Sequence, residues 1–275
     1  MEKEKKSIKS KLINIFIVLV IIVISIFMYA KYYETTKIIV NDERIISEKL
    51  PSNFNGVKVV YFTDTLIGST FNVEDVDNLV SNINSYKPDI ILFGGNLLNK
   101  NVKLDKKILT SLTKLDSSLG KYFVMGYLDS EEVSTSLESI GFKKLDNISE
   151  LIYNDSITPI CLYGVSSYNN GNSKLDELTK CEGLYTVVFT HEGDVLSKIE
   201  KNKYNLFVAG NSLGGEINIP FYGELYKFEG SKKYYKTIKN DSIYISNGIG
   251  TIKSFLRFNN YPSFTLFRLK STVTK

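Results

Sequence analysis

A chain of 275 residues, 43% hydrophobic and 23% charged, is long enough to bury a sizeable core in one large domain or two small ones. Its net charge of +4 is concentrated at the start, where Lys3, Lys5, Lys6, Lys9 and Lys11 outweigh Glu2 and Glu4, so the remainder is close to neutral. A nucleic-acid partner would call for a basic stripe on the folded part, and none is visible.

Residues 12–30, LINIFIVLVIIVISIFMYA, carry no charge and only Asn14 and Ser25 as polar side chains. As a helix this run spans about 28 Å, near the hydrocarbon thickness of a bilayer. A cleaved signal peptide is the competing reading, but the run exceeds the usual apolar core of such peptides and no A-x-A-like site follows. KYYETTK follows instead, with Tyr32 and Tyr33 where an aromatic belt would sit. The chain therefore divides into a basic cytoplasmic tail (1–11), a membrane-spanning helix (12–30) and a folded domain (31–275) outside the cytoplasm. The membrane, met through residues 12–30, is its first expected partner.

Beyond the anchor, strand patterns at 57–63, 89–93 and 121–125 alternate with helix patterns at 72–86, 104–115 and 131–140. In the first helix Val73, Val76, Leu79, Val80 and Ile83 share a face, with Asn72 as its expected N-cap. Further strands are predicted at 160–165, 184–189 and 205–209, separated by helices at 173–180 and 194–202. The last sixty residues are rich in Tyr, Phe and Ile and read as several strands. Alternation followed by a β-rich end predicts an α/β domain with two sheets. Cys161 and Cys181 match no metal-ligand spacing; free thiols are expected, with a disulfide between them in an extracytoplasmic compartment as the alternative.

Five strand ends finish in polar, glycine-containing loops: TDTLIGS at 63–69, GGNLLN at 94–99, GYLDS at 126–130, FTHEGDVL at 189–196 and GNSLGGE at 210–216. In this order the chain resembles the calcineurin-like metallophosphoesterases, and within them the membrane-anchored bacterial YkuE-type branch. That family reads D-x-H, G-D, G-N-H-D, a lone H and G-H-x-H at successive strand ends. LPSNFNGVKVVYFTD, and the closing segment with Gly248, Gly250, Arg257 and Pro262, extend the likeness over roughly residues 37–270. The resemblance implies a four-layer αββα sandwich of two mixed sheets, with a catalytic centre holding two divalent ions (Mn, Fe or Zn).

The same alignment departs from the family at the chemistry. Asp64 and His191 stand at ligand positions, but Leu66, Asn96, Tyr127, Asn211 and Leu213 occupy the other ligand positions, and Leu128 takes that of the histidine assisting the leaving group. Asp129, Gly214 and Gly215 match supporting positions. A binuclear centre needs several imidazoles and carboxylates around ions about 3.5–4 Å apart. This chain contains a single histidine. No metal cofactor is therefore expected, and Leu66, Leu128 and Leu213 are expected to fill the space, with an apolar pocket lined by them and Tyr127 as the alternative. No G-x-S-x-G elbow or Walker loop offers another chemistry. The sequence thus predicts a membrane-anchored pseudo-phosphoesterase acting as a binding or regulatory module outside the membrane, with a protein or a lipid as its candidate ligand. The alternative is an active metal-dependent phosphoester hydrolase, on lipid or nucleotide phosphodiesters, recruiting Asp129, Glu192, Asp194 or Glu216.

Overall fold

Alternation along a strand sends successive side chains to opposite faces. In β2 (Lys58–Phe62) it sends Val59 and Tyr61 one way and Val60 and Phe62 the other, and all four are buried. Strands apolar on both faces require cover on both sides. The computed structural model, which describes residues 2–226, 236–238 and 241–272, builds that arrangement twice.

The first sheet joins β1 (Ile39–Ser47), β2, β3 (Ile90–Phe93), β4 (Lys121–Phe123), β5 (Phe142–Lys144) and the last strand, Ser263–Ser271. The second joins β6 (Ile148–Ile152), β7 (Ile160–Val165), β8 (Thr186–Glu192), β9 (Leu206–Gly210) and the late strands Lys236–Ile238 and Asp241–Ile245. A short hairpin, β10 (Asn218–Ile219) and β11 (Gly223–Glu224), stands apart from both. The late strands are therefore β12, β13 and β14 in chain order. The sheet orders are β1-β14-β2-β3-β4-β5 and β12-β13-β9-β8-β7-β6. Strands β2 to β5 run parallel, as do β7, β8, β9 and β13, while β14 enters antiparallel to β2.

The inner faces of the two sheets share one core: Val59, Tyr61, Ile90, Leu92 and Phe267 pack with Leu162, Val187, Phe189, Leu206 and Val208. The outer face of the first sheet is covered by α2 (Asp75–Ser85), α3 (Lys106–Thr113) and α4 (Glu131–Ser139). The fold is thus the mixed two-sheet α/β sandwich that the sequence implied. Asp105 and Ser130 cap α3 and α4 by accepting backbone N–H bonds from Lys107 and Val133. Asn72 does not cap α2. The helix begins at Asp75, whose carboxylate accepts the Asn72 N–H at 2.8 Å, so the cap side chain sits inside the helix and points back.

Two expectations about the second sheet are corrected. The helices expected at 173–180 and 194–202 are 3-10 segments, Asp176–Cys181 and Gly193–Lys198. Runs this short gain too few i→i+4 bonds to offset helix nucleation. Cys161 and Cys181 are joined in a disulfide, with Cα atoms 5.5 Å apart. They meet because Cys161 faces outward from β7, where the 3-10 segment carrying Cys181 packs. Strands β1, β5 and β6 were missed; their exposed or half-buried alternation gives a weaker apolar signal.

The N-terminal helix α1 (Glu2–Met28) continues into a π-helical turn, Tyr29–Glu34. Lys9–Glu34 is long and apolar enough to cross a membrane, and its apolar side chains are exposed, Phe16 at 66% among them. The turn is fastened to the segment before β14. Arg257 N–H donates to Ala30 O at 3.1 Å, Asn260 N–H donates to Glu34 Oε1, and the hydroxyls of Tyr29 and Tyr261 lie 2.7 Å apart.

Candidate functional site

Parallel strands all end on the same edge, and ligands of open α/β sheets bind beyond those carboxyl ends. Here the carboxyl ends of β2, β3, β4, β8, β9 and β13 converge, carrying Asp64, Asn96, Tyr127 with Leu128, His191, Asn211 with Leu213, and Gly248 respectively.

Asp64 lies at the centre, fully buried. Its Oδ1 accepts Asn96 Nδ2 at 3.1 Å, and its Oδ2 accepts the Thr63 hydroxyl at 3.0 Å and the Asn211 N–H at 2.9 Å. His191 approaches the same carboxylate, with Nε2 3.6 Å from Oδ1. The pairing of β8 with β9 slips between Phe189 and Glu192, and this bulge carries Thr190 and His191. Bulges re-aim side chains in this way beside functional sites. His191 Nδ1 lies 2.7 Å from Gly94 O, which can only accept, so Nδ1 carries a proton. Nε2 has no hydrogen-bond partner. Burial alone would push the imidazole pKa down. The carboxylates of Asp64 and Glu192, the Gly94 carbonyl and the charge of Asp129 outweigh it and hold the pKa above its ordinary value.

The other carboxylates are occupied. Asp129 accepts three backbone N–H groups, from Asn96 at 2.7 Å, Gly126 at 2.8 Å and Leu97 at 2.8 Å. Desolvation nonetheless pushes its pKa up, against those three donors and His191. Glu192 points away from Asp64, to the Ser167 hydroxyl at 2.7 Å and Tyr168 N–H at 2.9 Å. Glu216 gathers the N–H groups of Ile252, Lys253 and Ser254 and the Ser254 hydroxyl. Asp194 lies in the 3-10 segment after β8. Among the described residues, no three His, Cys, Asp or Glu side chains form a group able to hold a metal ion.

Tyr127 and Leu128 are half-buried. The Tyr127 ring lies 5.7 Å from the His191 ring, and desolvation, followed by the Asp64, Glu192 and Glu216 charges, pushes its hydroxyl up to about 12. Leu66 and Leu213 are fully buried. A Cβ built on Gly248 would fall 2.9 Å from both Leu213 Cδ2 and Asp64 Cβ, and one on Gly250 would fall 2.6 Å from Leu66 Cβ. The expected plug of three leucines is therefore two fully buried leucines against adjacent glycines, with Leu128 half out.

The backbone carries the plainest mark of the site. Asp64, Leu66, Asn96, Asn211, Leu213 and Glu216 all have positive φ, from 44° to 63°. Side chains other than glycine rarely adopt this region, and such strain collects at functional sites. Gly214 and Gly215, with φ of 57° and 72°, continue the same loop. Thr63, Asn260 and Arg257 complete the frame. Asn260 Nδ2 donates to Leu213 O at 2.7 Å, and buried Arg257 donates only to backbone carbonyls, those of Leu213, Asn247, Gly250 and Asn260. Sequence reasoning placed Arg257 without its role, and no pattern signalled Thr63 or Asn260.

No family model matches the chain. Curated proteins do. An uncharacterized metallophosphoesterase of Bacillus subtilis, YkuE, is 28% identical over 257 residues, covering 89% of this chain and 90% of that protein. One from Helicobacter pylori is 25% identical over 211 residues, covering 74% and 56%. The chain is a metallophosphoesterase homologue. A zebrafish (Danio rerio) transmembrane protein with a metallophosphoesterase domain matches over 45% of the chain and 30% of its own length, at 28% identity. The similarity spans most of the chain, and the two-sheet fold agrees with it.

Proposed function

We propose that this chain is a membrane-tethered pseudo-phosphoesterase, a binding or regulatory module that retains the metallophosphoesterase frame without its two-metal chemistry. The observation that carries the reading is the donor set around Asp64. A pair of divalent ions needs several free lone pairs and a bridging carboxylate. Here the Asp64 carboxylate already accepts three hydrogen bonds, the bridging position holds the Asn96 amide, and two leucines fill neighbouring positions. The residues present do not fit a binuclear centre of Mn, Fe or Zn. Asp129, Glu192 and Glu216, the acids an atypical site would recruit, are committed to backbone N–H groups and hydroxyls.

The domain lies outside the cytoplasm, anchored by the helix at its N-terminus. The basic segment before that helix supports a cytoplasmic N-terminus, and the disulfide supports an oxidising compartment for the domain. The ligand is a protein or a lipid, not a nucleic acid.

Elemental analysis of the purified full chain in detergent, paired with turnover of bis-p-nitrophenyl phosphate in manganese, tests the reading. The expected result is metal well below one ion per chain and no turnover above buffer. Near-stoichiometric metal, with hydrolysis abolished by Asp64→Ala and by His191→Ala, would instead establish an active metal-dependent hydrolase.

A further inference from the structure

The hairpin β10–β11 breaks a local rule. Tyr222 N–H donates to Ile219 O at 3.1 Å, closing a turn with Pro220 and Phe221 at its centre. Proline at the first central position and positive φ at the second describe a turn that favours glycine or asparagine there. This chain places Phe221 in that position, at φ 68° and fully exposed. Neither the turn nor the core benefits from that ring. Tyr222 beside it is 73% exposed, Ile219 and Leu225 flank it in the open, and Phe255 is 73% exposed on the neighbouring segment. Five large apolar side chains exposed on the hairpin and on the segment paired with it are a patch that requires a partner.

The backbone identifies the partner. The segment 255–261 lies between the hairpin and the end of the anchor helix. On one side Asn218 N–H donates to Phe258 O at 2.8 Å, and Phe258 N–H to Glu216 O at 3.2 Å. On the other side Arg257 and Asn260 bond Ala30 and Glu34, and Tyr261 meets Tyr29. The hairpin is thus one strand-width, about 5 Å, beyond a segment fastened to the helix where it leaves its apolar run. Lys31 and Lys37 stand over the rings of Tyr32, Tyr33 and Tyr261 at this level, and exposed Lys253 lies beside Phe255. Aromatic rings interleaved with lysines are the composition of a surface seated at lipid headgroups.

We propose that the β10–β11 hairpin and Phe255 form a second membrane contact, dipping into the headgroup boundary of the bilayer that α1 enters and holding the Asp64–His191 edge close to that surface. This goes beyond the loss of catalysis and rests only on the membrane-anchored part of the preceding reading.

The chain contains no tryptophan, so one introduced indole is the sole reporter of its kind. Full-length Phe221→Trp, Phe255→Trp, Ile157→Trp and Ile17→Trp variants are reconstituted into phosphatidylcholine–phosphatidylglycerol vesicles with and without bromine on the acyl chains. Ile157 is 93% exposed ahead of β7, on the opposite edge of the sandwich, and serves as the water-exposed control. Emission from positions 221 and 255 should shift to shorter wavelength and fall by about half in brominated lipid, as for rings seated about 5–10 Å into the boundary, while position 157 is unquenched. Quenching at 221 and 255 no greater than at 157 would overturn the proposal. A blue shift without quenching would also overturn it, by assigning the patch to a second copy or a protein partner. Failure of the anchor itself would show separately, as loss of quenching at position 17.

Discussion

His191 Nε2 faces Asp64 Oδ1 at 3.6 Å with both side chains fully buried, and the other imidazole nitrogen is fixed as a donor to Gly94 O. A neutral ring would therefore aim a lone pair at a carboxylate. Protonation turns that contact into an attraction between opposite charges, which accounts for a pKa held up against burial. The direction of the shift favours an imidazolium beside the Asp64 carboxylate at this strand edge.

Because the chain has one histidine, a single set of imidazole resonances reports this pair. The folded protein should titrate above the ordinary histidine value of about 6.5, and Asp64→Asn should bring the midpoint down. The folded-state pKa is the raised one, so the stabilisation is complete below the unfolded value and is lost as pH rises through the folded value. A midpoint at or below the ordinary value, unmoved by Asp64→Asn, would show that the carboxylate does not hold the proton.

Leu66 offers a test of the inherited backbone. At φ 44° it sits where a β-carbon costs about 1–2 kcal/mol. Truncation to alanine removes the buried side chain and should cost about 2–5 kcal/mol. Glycine loses the same contacts and sheds the backbone strain. Leu66→Gly should therefore be more stable than Leu66→Ala by about 1 kcal/mol in urea unfolding, the reverse of the usual order in regular structure. An alanine variant as stable as the glycine variant would mean that the position is unstrained.

These residues also show what was legible in advance. Buried strands such as β2 and β3 announce themselves because both faces are apolar, and their loops carry the site, so Asp64, Asn96 and His191 were placed from the chain alone. The disulfide was not, since a spacing of twenty residues says nothing of which sheet face each cysteine meets. Nor was the engagement of Glu192 and Glu216, because a carboxylate's partners here are backbone N–H groups of distant loops, which leave no mark in composition. The unequal burial of the three leucines belongs to the same class, being set by loop paths and not by residue type.

Arg257 ties the loops to the turn that ends the N-terminal helix. Its guanidinium is fully buried, and burial lowers its pKa to about 10 despite the charges of Glu216, Asp64 and Glu34, so it remains charged at neutral pH. Four backbone carbonyls from three loop segments share its donors. Lysine cannot reproduce that fork. Arg257→Lys should cost about 3 kcal/mol or more, and amide exchange should quicken at residues 213–216 and 247–250 before it does in the β-strands. Uniform loosening of the whole domain would show that the arginine is a general packing element.

The Cys161–Cys181 bond closes a twenty-residue loop between β7 and the turn covering the second sheet. Chain-entropy reasoning gives about 3 kcal/mol for a loop of this size. The turn it holds is a 3-10 segment with few internal bonds, so loss should be felt first there, around Leu178, whose side chain packs in the same outer core. Chain isolated from membranes without reductant should show no free thiol under denaturing conditions. Cys161→Ala with Cys181→Ala should lower the unfolding free energy by about that amount while leaving the His191 resonance unmoved, since the pair lies on the outer face of the sheet. Two titratable thiols in the untreated chain would remove both the stabilisation and the support for an oxidising compartment.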